Sequence, residues 1–358
     1  MNTKFWIAFS SIEELDSVFV RKIYEYFGDI EAAFNASKKD FAQIEGLSVN
    51  KVEEFLAKRD KINPDEKWEE VEKRGIKVLT FDDGHYPYML KQIHNPPIVL
   101  YYKGDLFSCN LEKTVAFVGS RRASQNGRDS VRRVISELAN TDICIVSGLA
   151  EGIDAVSHRS AAENNLKTIG VIASGFDFKY PASNRDLYEK LENGYGAIVT
   201  EYYPTFEPIK FRFPQRNRIV TGLSYGTVVG EAAIKSGALI SANLTLEQGR
   251  ELMCIPGAIN NKNTEGVYKL LKNGATMVTS GEDVLNALNW EVVQAKKEDK
   301  KIPAQYLNLC DIISVEPKGF DELQSETRMG TDELLTALTM MEVEGLIEQI
   351  EGDRYKKI

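Results

Sequence analysis

The sequence has little of what metal enzymes and nucleophilic hydrolases use. It contains only three histidines, and its four cysteines lie far apart in the chain, at Cys109, Cys144, Cys254 and Cys310. No two cysteines have the CxxC spacing of a zinc site or a redox motif, and no GxSxG elbow is present to carry a nucleophilic serine. We therefore expect neither a metal site nor catalytic residues.

The phosphate-binding fingerprints of common nucleotide enzymes are also absent. No GxGxxG follows the first buried strand, and no GxxxxGK[ST] occurs anywhere in the chain. These patterns hold the phosphates of dinucleotide cofactors and of nucleoside triphosphates. Their absence disfavours both ligand classes, and we expect no cofactor.

Long apolar runs and an excess of positive charge are missing as well. Without a membrane-length run or a signal peptide, the sequence predicts a cytoplasmic protein with no membrane association. The 44 Lys and Arg residues stand against 53 Asp and Glu residues, which gives a net charge of −9. This balance argues against a protein that coats nucleic acid indiscriminately, but it leaves room for local basic patches. Cys144 and Cys254 lie inside apolar runs, where buried free thiols are expected.

A helical segment occupies the first part of the chain. Residues 1–75 repeat apolar positions at helical spacing, for example in "LDSVFVRKIYEYFG". The turn "IEGLS" is similar to the turn of a SAM or helix-hairpin-helix module, some of which grip phosphates through backbone N–H groups. Because Glu45 adds a negative charge at this turn, a packing role is favoured over DNA binding.

The remainder of the chain predicts an α/β domain and a small terminal module. Residues 76–290 alternate continuous apolar runs, such as "TVAFVGS" and "ICIVSG", with helix-length segments. This pattern is typical of a Rossmann-like parallel sheet covered by helices on both faces, and residues 76–112 should extend one sheet edge. Residues 291–302 form a charged linker in this interpretation, and the helix–helix–helix–hairpin order of 303–358 predicts a winged helix.

Glycine-rich loops follow several of the predicted strands. They read "GSRR" at 119–122, "SGLAEG" at 147–152 and "SG" at 174–175. Because parallel strands end at one edge of the sheet, these loops should lie together and present N–H groups that attract anions. Arg121 and Arg122 add positive charge. Any one of these loops could equally be a tight structural turn.

The stretch "FRFPQRNRIVTGLS", residues 211–224, gathers phenylalanines and arginines in an acidic chain. A phenylalanine ring offers a flat face for a base, and neighbouring basic side chains can hold the flanking phosphates. The residues predicted to bind a single strand in this way are Lys210, Phe213, Arg216 and Arg218. Pro214 should stop any helix from running back through Phe213. An equally weighted alternative places Phe213 in the core and pairs the arginines with Glu201, Glu207 or Glu231.

Two further patterns bear on an enzymatic function. Asp154 and His158 lie four residues apart on one helical face, and without a nucleophile we expect a structural pair that fixes the helix against a loop. "YGTVVGE" is similar to the GGxGTxxE loop of nucleotide-cleaving Rossmann-like enzymes, although Tyr225 replaces the first glycine. A nucleotide-processing enzyme is therefore the alternative function.

Several motifs occur together in the order found in one family. They are "VGSRRAS", "SGLAEGIDAVSHRSA", "GFDFKYPASNRDL", "TEY", "FPQRNRIVTGLS", "EAAIKSGALISA", "QGRELMCIPG" and "NTEGVYKLLKNGA". Over residues 76–285 the chain resembles the DNA-processing protein A family (DprA, also called Smf), and the helical front and winged-helix end fit its longer members. Two departures are Gln215, where a basic residue is common, and "TEY" in place of the usual Ser-Glu.

The resemblance implies a homodimeric cytoplasmic protein without turnover. Such a protein binds single-stranded DNA, protects incoming DNA and loads RecA recombinase onto it during natural transformation. The family's DNA-holding positions correspond here to Arg121, Lys210 and Phe213. The complete predicted DNA site comprises Gly119, Ser120, Arg121, Ser147, Gly148, Lys210, Phe213, Arg216, Asn217, Arg218, Ser236 and Gly237.

The third helix of the winged-helix module has an unusual charge for a DNA reader. It carries Asp332, Glu333, Glu342 and Glu344 and no Lys or Arg. Such a helix would repel the phosphates that line the major groove. We therefore interpret the module as a protein-contact or regulatory element. Arg354, Lys356 and Lys357 on its wing could still touch duplex backbone weakly.

Overall fold

The apolar runs of the sequence form one large sheet, which has nine strands in the described part of the chain. In chain order these strands are β1 (Lys77–Thr80), β2 (Val99–Gly104), β3 (Thr114–Gly119), β4 (Cys144–Ser147), β5 (Thr168–Val171), β6 (Gly196–Thr200), β7 (Gly226–Glu231), β8 (Glu251–Cys254) and β9 (Thr276–Met277). Their order across the sheet is β1-β2-β6-β5-β4-β3-β7-β8-β9. The pairings from β6 to β9 are all parallel, whereas β1 and β2 form an antiparallel edge. The predicted edge extension by residues 76–112 is thus confirmed.

The computed structural model describes residues 2–13, 15–291, 309, 312–313, 317–343, 347–350 and 354–357. Contacts divide the chain into two units, Met1–Val292 and Val293–Ile358. The described α-helices of the first unit are α1 (Thr3–Ser10), α2 (Ser17–Phe27), α3 (Ile30–Asn35), α4 (Lys38–Phe41), α5 (Val49–Arg59), α6 (Pro64–Glu72), α7 (Tyr88–Lys91), α8 (Gln125–Ser136), α9 (Ile153–Glu163), α10 (Arg185–Lys190), α11 (Arg212–Gly222), α12 (Gly237–Glu247), α13 (Glu265–Lys272) and α14 (Gly281–Ala287).

Both faces of the parallel strands are buried, which explains why the strand sequences are apolar throughout. Along β3, Val115 and Phe117 belong to the apolar core that α8 and α9 cover. The intervening Ala116 and Val118 belong to a second core on the opposite face, shared with α11 and α12. Successive side chains of a strand point to opposite faces, so a strand with helices on both sides needs apolar residues at every position.

The strand order reverses between β3 and β7. From β3 the chain passes to β4, β5 and β6 in one direction, and it then returns to place β7 on the other side of β3. The loops that leave β3 and β7 therefore diverge to opposite faces of the sheet and open a crevice at the carboxyl ends of the strands. Ligands of open α/β sheets bind at such a switch point.

The N-terminal helices share a hydrophobic core with the antiparallel edge of the sheet. Trp6 and Phe9 of α1 belong to the same buried cluster as Tyr101 of β2 and Ile198 of β6. The hydroxyl of Tyr203 also donates to Glu70 of α6 at 2.7 Å. The segments on the two sides of residue 75 bury their apolar surface against each other and belong to one compact unit. The domain boundary predicted at residue 75 therefore stays a prediction.

The turn between α4 and α5 joins two helices that bury phenylalanines. Gly46 lies in this turn with a φ of +72°, a conformation that glycine adopts without strain. Phe41 of α4 and Phe55 of α5 are buried and their ring centroids are 5.6 Å apart. These contacts give the turn the packing role that the sequence favours.

The second unit contains a winged helix, as predicted. Its described elements are β10 (Lys318–Gly319), α15 (Phe320–Thr327), α16 (Thr331–Val343), β11 (Ile347–Ile350) and β12 (Arg354–Lys357). The strands form an antiparallel sheet in the order β10-β12-β11. Leu323, Leu334, Leu338 and Met341 are buried in its separate core. Three features of the sequence lie outside the described residues. They are Cys310, Glu344 and the part of the predicted charged linker that follows Glu291.

Cys144 and Cys254 are buried free thiols, as predicted. Among the helices that the structure describes, none has the length and apolar character needed to cross a membrane.

Candidate nucleic-acid interface

A cleft of about 860 Å³ opens at the switch point of the sheet. Its walls come from the loop after β3, the loop after β4, the first turns of α11 and the start of α12. Of the predicted DNA-binding residues it is lined by Gly119, Ser120, Arg121, Gly148, Lys210, Phe213, Arg216, Asn217, Ser236 and Gly237. Residues from four separate stretches of the sequence therefore meet on one surface.

Glycines let the loop after β3 pack tightly and leave its arginines in solvent. A Cβ atom at Gly119 would lie 2.4 Å from Cγ1 of Ile153, and one at Gly152 would lie 2.1 Å from the carbonyl oxygen of Ser120. The N–H of Ile153 donates to that same oxygen at 3.2 Å. The start of α9 is thus held against the loop, while the side chain of Arg121 is exposed.

Phe213 lies at the centre of the cleft wall and is half-buried. The guanidinium of Arg121 lies over its ring at 5.1 Å from the centroid, and the ring of Tyr180 meets it edge-on at 5.6 Å. Phe213 is therefore neither a buried core residue nor an isolated surface ring. It is the contact point of an aromatic and cationic cluster.

The helix that carries Phe213 begins earlier than its proline suggests. Pro214 is expected to keep any helix from running back through Phe213, yet α11 begins at Arg212 and includes Phe213. This prediction is wrong because Pro214 is the third residue of the helix. N–H groups in the first turn have no intrahelical acceptor, so a proline there removes no hydrogen bond.

Lys210 is a cation of the cleft that is open to solvent. Its side chain is exposed, and the described residues provide no ion-pair partner for it. Arg122, on the opposite wall, is also exposed and without an acidic partner in the described part of the chain. Both ammonium and guanidinium groups are accordingly available to an anion in the cleft.

Arg216 is buried, whereas an arginine that binds a phosphate from solvent would have to be exposed. It is only 4% exposed and its Nη1 donates to the carbonyl oxygens of Gly148 and Val171. A Cβ at position 148 would lie 2.6 Å from both Arg216 Nη2 and Asp154 Oδ2, so a larger residue there would displace these two side chains. Burial lowers the pKa of Arg216, and the nearby Asp154 opposes this shift. The guanidinium therefore ties the loops together and supplies charge to the cleft floor.

Arg218 lies outside the cleft, which corrects its predicted role. Its guanidinium forms an ion pair with Glu201, as the structural alternative for these arginines predicts. On α11 the residues that line the cleft are Phe213, Pro214, Arg216, Asn217 and Val220. This spacing of three and four residues marks one helical face, and position 218 belongs to another. Arg212 is buried and is paired with Glu13.

The serines of the predicted site also separate into different roles. Ser147 is fully buried and its hydroxyl donates to the carbonyl oxygen of Phe117 at 2.6 Å, so its side chain is unavailable to DNA and that prediction is wrong. Ser236 caps α12 and accepts from the N–H of Ala238 at 3.2 Å. Gly237 is exposed at the first residue of this helix. The start of α12 thus presents the positive end of a helix to the cleft.

Asp154 and His158 are structural, but they do not pair with each other. Asp154 is buried and accepts from the N–H of Ala150 at 3.4 Å; burial raises the pKa of Asp154, and Arg216 acts against this rise. The ring of His158 is buried, with Nδ1 2.7 Å from Oγ1 of Thr168. Burial lowers the pKa of His158 to about 3. Each side chain fixes its own neighbour within the fold.

The segment resembling a nucleotide-cleaving loop is instead a buried strand. Residues 226–231 form β7, and the carboxylate of Glu231 is 1% exposed. It accepts from the N–H and the hydroxyl of Ser124, both at 2.7 Å, and from the amide of Asn261 at 2.6 Å. Glu231 thereby closes the N-terminus of α8, and no observation supports an acid–base role for it.

The cleft also contains residues that the sequence did not single out. Tyr180, Ile240, Ser241 and Asn263 line it. The available signal for Tyr180 was an aromatic residue before a proline in the loop after β5. Nothing in the local pattern of Asn263 or Ser241 distinguishes them from other surface residues.

An open, mostly parallel α/β sheet with a cleft at its switch point defines a Rossmann-like protein. Within that class the chain belongs to the family described as DNA recombination-mediator protein A, which matches residues 77–289. Residues 283–353 match the DprA winged helix domain.

Three known proteins show how far this similarity extends. Protein Smf of Synechocystis sp. is 29% identical and is aligned over 99% of this chain and 98% of its own. The structure of DNA processing protein A from Streptococcus pneumoniae has a TM-score of 0.70 and 35% identity, and covers 80% of this chain and 97% of its own. The corresponding Helicobacter pylori structure, which concerns the single-stranded DNA binding mode of that protein, has a TM-score of 0.54 and 29% identity, with 60% and 97% covered.

Proposed function

We propose that this protein is a recombination mediator that binds single-stranded DNA in the switch-point cleft. The observation that carries the proposal is the meeting of Arg121, Phe213 and Lys210 on one surface. A flat ring beside exposed cations suits the alternation of bases and phosphates in a single strand. The single-stranded DNA binding mode of the Helicobacter pylori relative supports the same assignment.

The backbone phosphates have two kinds of donor in this cleft, charged side chains and backbone N–H groups. Arg121, Arg122 and Lys210 supply mobile charges, and the start of α12 at Gly237 supplies oriented N–H groups. Gly119, Ser120 and Gly148 allow the strand to approach the backbone closely. In this arrangement Arg216 acts from below the surface, through its charge and by holding Gly148 in place.

The biological role that we propose is the one that the resemblance to the family implies. The protein protects incoming single-stranded DNA and loads RecA recombinase onto it during natural transformation. It acts in the cytoplasm as a homodimer and carries out no turnover of its own. RecA and a second copy of this chain are accordingly the proposed protein partners.

The winged-helix module is proposed to contact protein rather than DNA. The exposed surface of α16 includes Asp332, Glu333 and Glu342 together with the apolar side chains of Leu335 and Met340. Of the basic residues on the wing, Arg354 lies 3.7 Å from Glu322. An acidic helix with apolar side chains suits a basic protein surface better than a phosphate-lined groove.

The experiment that tests the function is a titration of fluorescent oligo-dT at one fixed salt concentration. The wild-type chain should bind, and Arg121→Glu should weaken binding at least tenfold while Lys190→Glu leaves it unchanged. Lys190 is an exposed lysine on α10 that does not line the cleft. Absence of wild-type binding, or turnover of nucleoside monophosphates, would contradict the proposed function. RecA loading is tested by strand exchange on DNA that carries a competing single-strand binding protein.

A further inference from the structure

Tyr180 places a second aromatic ring beside Phe213. The loop after β5 carries it, and 49% of the residue is exposed. Its ring centroid is 5.6 Å from that of Phe213, and the two ring planes are inclined by 63°. The described residues offer no hydrogen-bond partner for its hydroxyl. The ring of Tyr180 is therefore fixed to the protein only by its contact with Phe213 among the ring and hydrogen-bond contacts of the described residues, and it stays accessible from the cleft.

Hydrogen bonds hold the backbone of the loop that carries Tyr180. The buried Tyr188 donates its hydroxyl to the carbonyl oxygen of Tyr180 at 2.9 Å. The buried side chain of Asn184 donates to the carbonyl oxygens of Leu149 and Ala150 at 2.9 and 3.0 Å. These bonds connect the tyrosine's loop to the loop that ends in Gly152. The backbone that carries the ring is consequently positioned before any ligand arrives, so little backbone entropy is lost when a base stacks on it.

We propose that Tyr180 is a second base-stacking platform, which acts with Phe213 to select single strands whose neighbouring bases are unstacked. The inference rests on the proposed single-strand binding and adds a residue and a selectivity to it. Both rings line the same cleft, and cations on its walls can hold the phosphates between the two bases. The strand would turn at the corner that the rings form.

The selectivity follows from the angle between the platforms. Neighbouring bases in a helical strand lie parallel, whereas two rings inclined by 63° cannot both lie flat against parallel bases. A strand that uses both platforms must therefore give up the stacking between those two bases. That loss is small for thymines and larger for adenines, and preferences of this kind arise from stacking strength rather than from hydrogen-bond readout. The cleft should consequently favour oligo-dT over oligo-dA.

A purely structural role for Tyr180 makes a different prediction. In that case its ring would only shield Phe213 and close the small cavity of about 60 Å³ between them. Any apolar side chain of similar size would then serve, and neither affinity nor base preference would depend on an aromatic face. Tyr180→Leu separates the two roles, because it keeps apolar volume against Phe213 and removes the flat ring.

The test compares four variants by titration with oligo-dT and oligo-dA of equal length. Tyr180→Ala and Tyr180→Leu should each weaken oligo-dT binding by about 5- to 150-fold, the equivalent of about 1–3 kcal/mol for one stacked base. Their preference for oligo-dT over oligo-dA should fall, and the salt dependence should stay unchanged because no charge is removed. Tyr180→Phe should bind like the wild type. Tyr195→Ala, at an exposed tyrosine that does not line the cleft, is the matched control and should also bind like the wild type.

Three results would overturn the inference. They are wild-type affinity of Tyr180→Leu, an unchanged preference between the two oligonucleotides in both ring-deleting variants, and a loss in Tyr180→Phe as large as in Tyr180→Ala. Arg121→Glu, measured in parallel, separates a failure of the proposed stacking role of Tyr180 from a failure of the proposed single-strand binding. If Arg121→Glu loses binding while the Tyr180 variants do not, only the second platform is refuted. If the wild type fails to bind oligo-dT, the proposed function itself is refuted.

Discussion

The guanidinium of Arg121 lies over the ring of Phe213, with Cζ 5.1 Å from the ring centroid. A cation in this position is attracted by the electron-rich face of the ring. The same face is where a base would stack, so a base that takes this place must displace the guanidinium. The displaced group is then free to reach a phosphate. The two side chains are therefore expected to contribute jointly to DNA binding.

A double-mutant cycle should reveal this coupling. Arg121→Ala and Phe213→Ala, alone and combined, are each titrated with oligo-dT at one salt concentration. The Phe213→Ala change should cost about 1–3 kcal/mol of binding free energy, and the two effects should deviate from additivity by about 0.5–3 kcal/mol, as is usual for residues in contact. Strict additivity would show that the pair in the unliganded protein has no role in binding.

The melting temperature of Phe213→Ala serves as the control in that cycle. If Phe213 were mainly a core residue, its loss would cost about 3–5 kcal/mol of folding free energy. Because the ring is half-buried, we expect a small loss of stability and a large loss of affinity. A large fall in melting temperature with intact affinity at low temperature would support the core alternative.

Lys210 should contribute to affinity through a phosphate contact. In Lys210→Ala, the slope of log affinity against log salt for oligo-dT should become shallower by about 0.7, the value for one lost contact on a single strand. The slope is measured over at least four salt concentrations. Lys190→Ala, which removes an equally exposed lysine outside the cleft, should leave the slope unchanged. A wild-type slope in folded Lys210→Ala would mean that no phosphate is neutralised there.

Removal of the winged-helix module should leave single-strand binding almost intact. The residues of the proposed DNA site all lie in the unit Met1–Val292, and the second unit has its own apolar core. A chain lacking residues 296–358 should therefore stay folded and bind oligo-dT with nearly the affinity of the full chain. A tenfold loss, equal to about 1.4 kcal/mol, would show that the module contributes directly to the DNA site.

The buried His158 should make the protein less stable in acid. Thr168 donates its hydroxyl to the carbonyl oxygen of Ile145, so Nδ1 of His158 carries the proton and donates to Thr168. Nε2 is buried without a hydrogen-bond partner in the described part of the chain. Protonation of Nε2 would bury an unpaired charge, which is consistent with the fall of its pKa from 6.5 to about 3.

The sign of the pH dependence follows from this shift. Between about pH 6.5 and pH 3 the unfolded chain binds a proton at His158 that the folded chain does not, so stability falls as the pH falls through this range. The slope is up to about 1.4 kcal/mol per pH unit. His158→Asn keeps a donor for Thr168 and should be less pH-dependent by that amount in urea unfolding, whereas His94→Asn at the surface should match the wild type. Equal slopes in His158→Asn and the wild type would contradict the assignment.

Much of the architecture follows from the sequence because it depends on local patterns. Continuous apolar runs bounded by glycines predict buried parallel strands, and the strands β3, β4, β5 and β7 lie where these runs are. The carboxyl ends of such strands must share one edge of the sheet. The sequence alone therefore places the glycine-rich loops at 119–122 and 147–152 at a common site.

The roles of the individual arginines were decided only by the tertiary structure. Arg121 is exposed over a ring, Arg216 is buried against two carbonyl oxygens, and Arg218 is paired with Glu201. The local sequence does not distinguish them, because the burial and partners of a side chain are set by residues far away in the chain. For Arg216 those are Gly148 and Val171, which lie 68 and 45 positions away.

The local sequence likewise does not determine the partners of Ser147, Glu231 and Tyr180. A serine at the end of a strand predicts a hydroxyl donor in the cleft, yet the pleat turns Ser147 inward to the carbonyl oxygen of Phe117. The carboxylate of Glu231 accepts hydrogen bonds from Ser124 and Asn261 and is therefore buried away from the cleft. Tyr180 becomes a neighbour of Phe213 only because the loop after β5 folds back over α11. Local periodicity determines which residues form strands and helices, whereas the chemistry of each side chain depends on which distant groups the folded chain brings within a few ångströms of it.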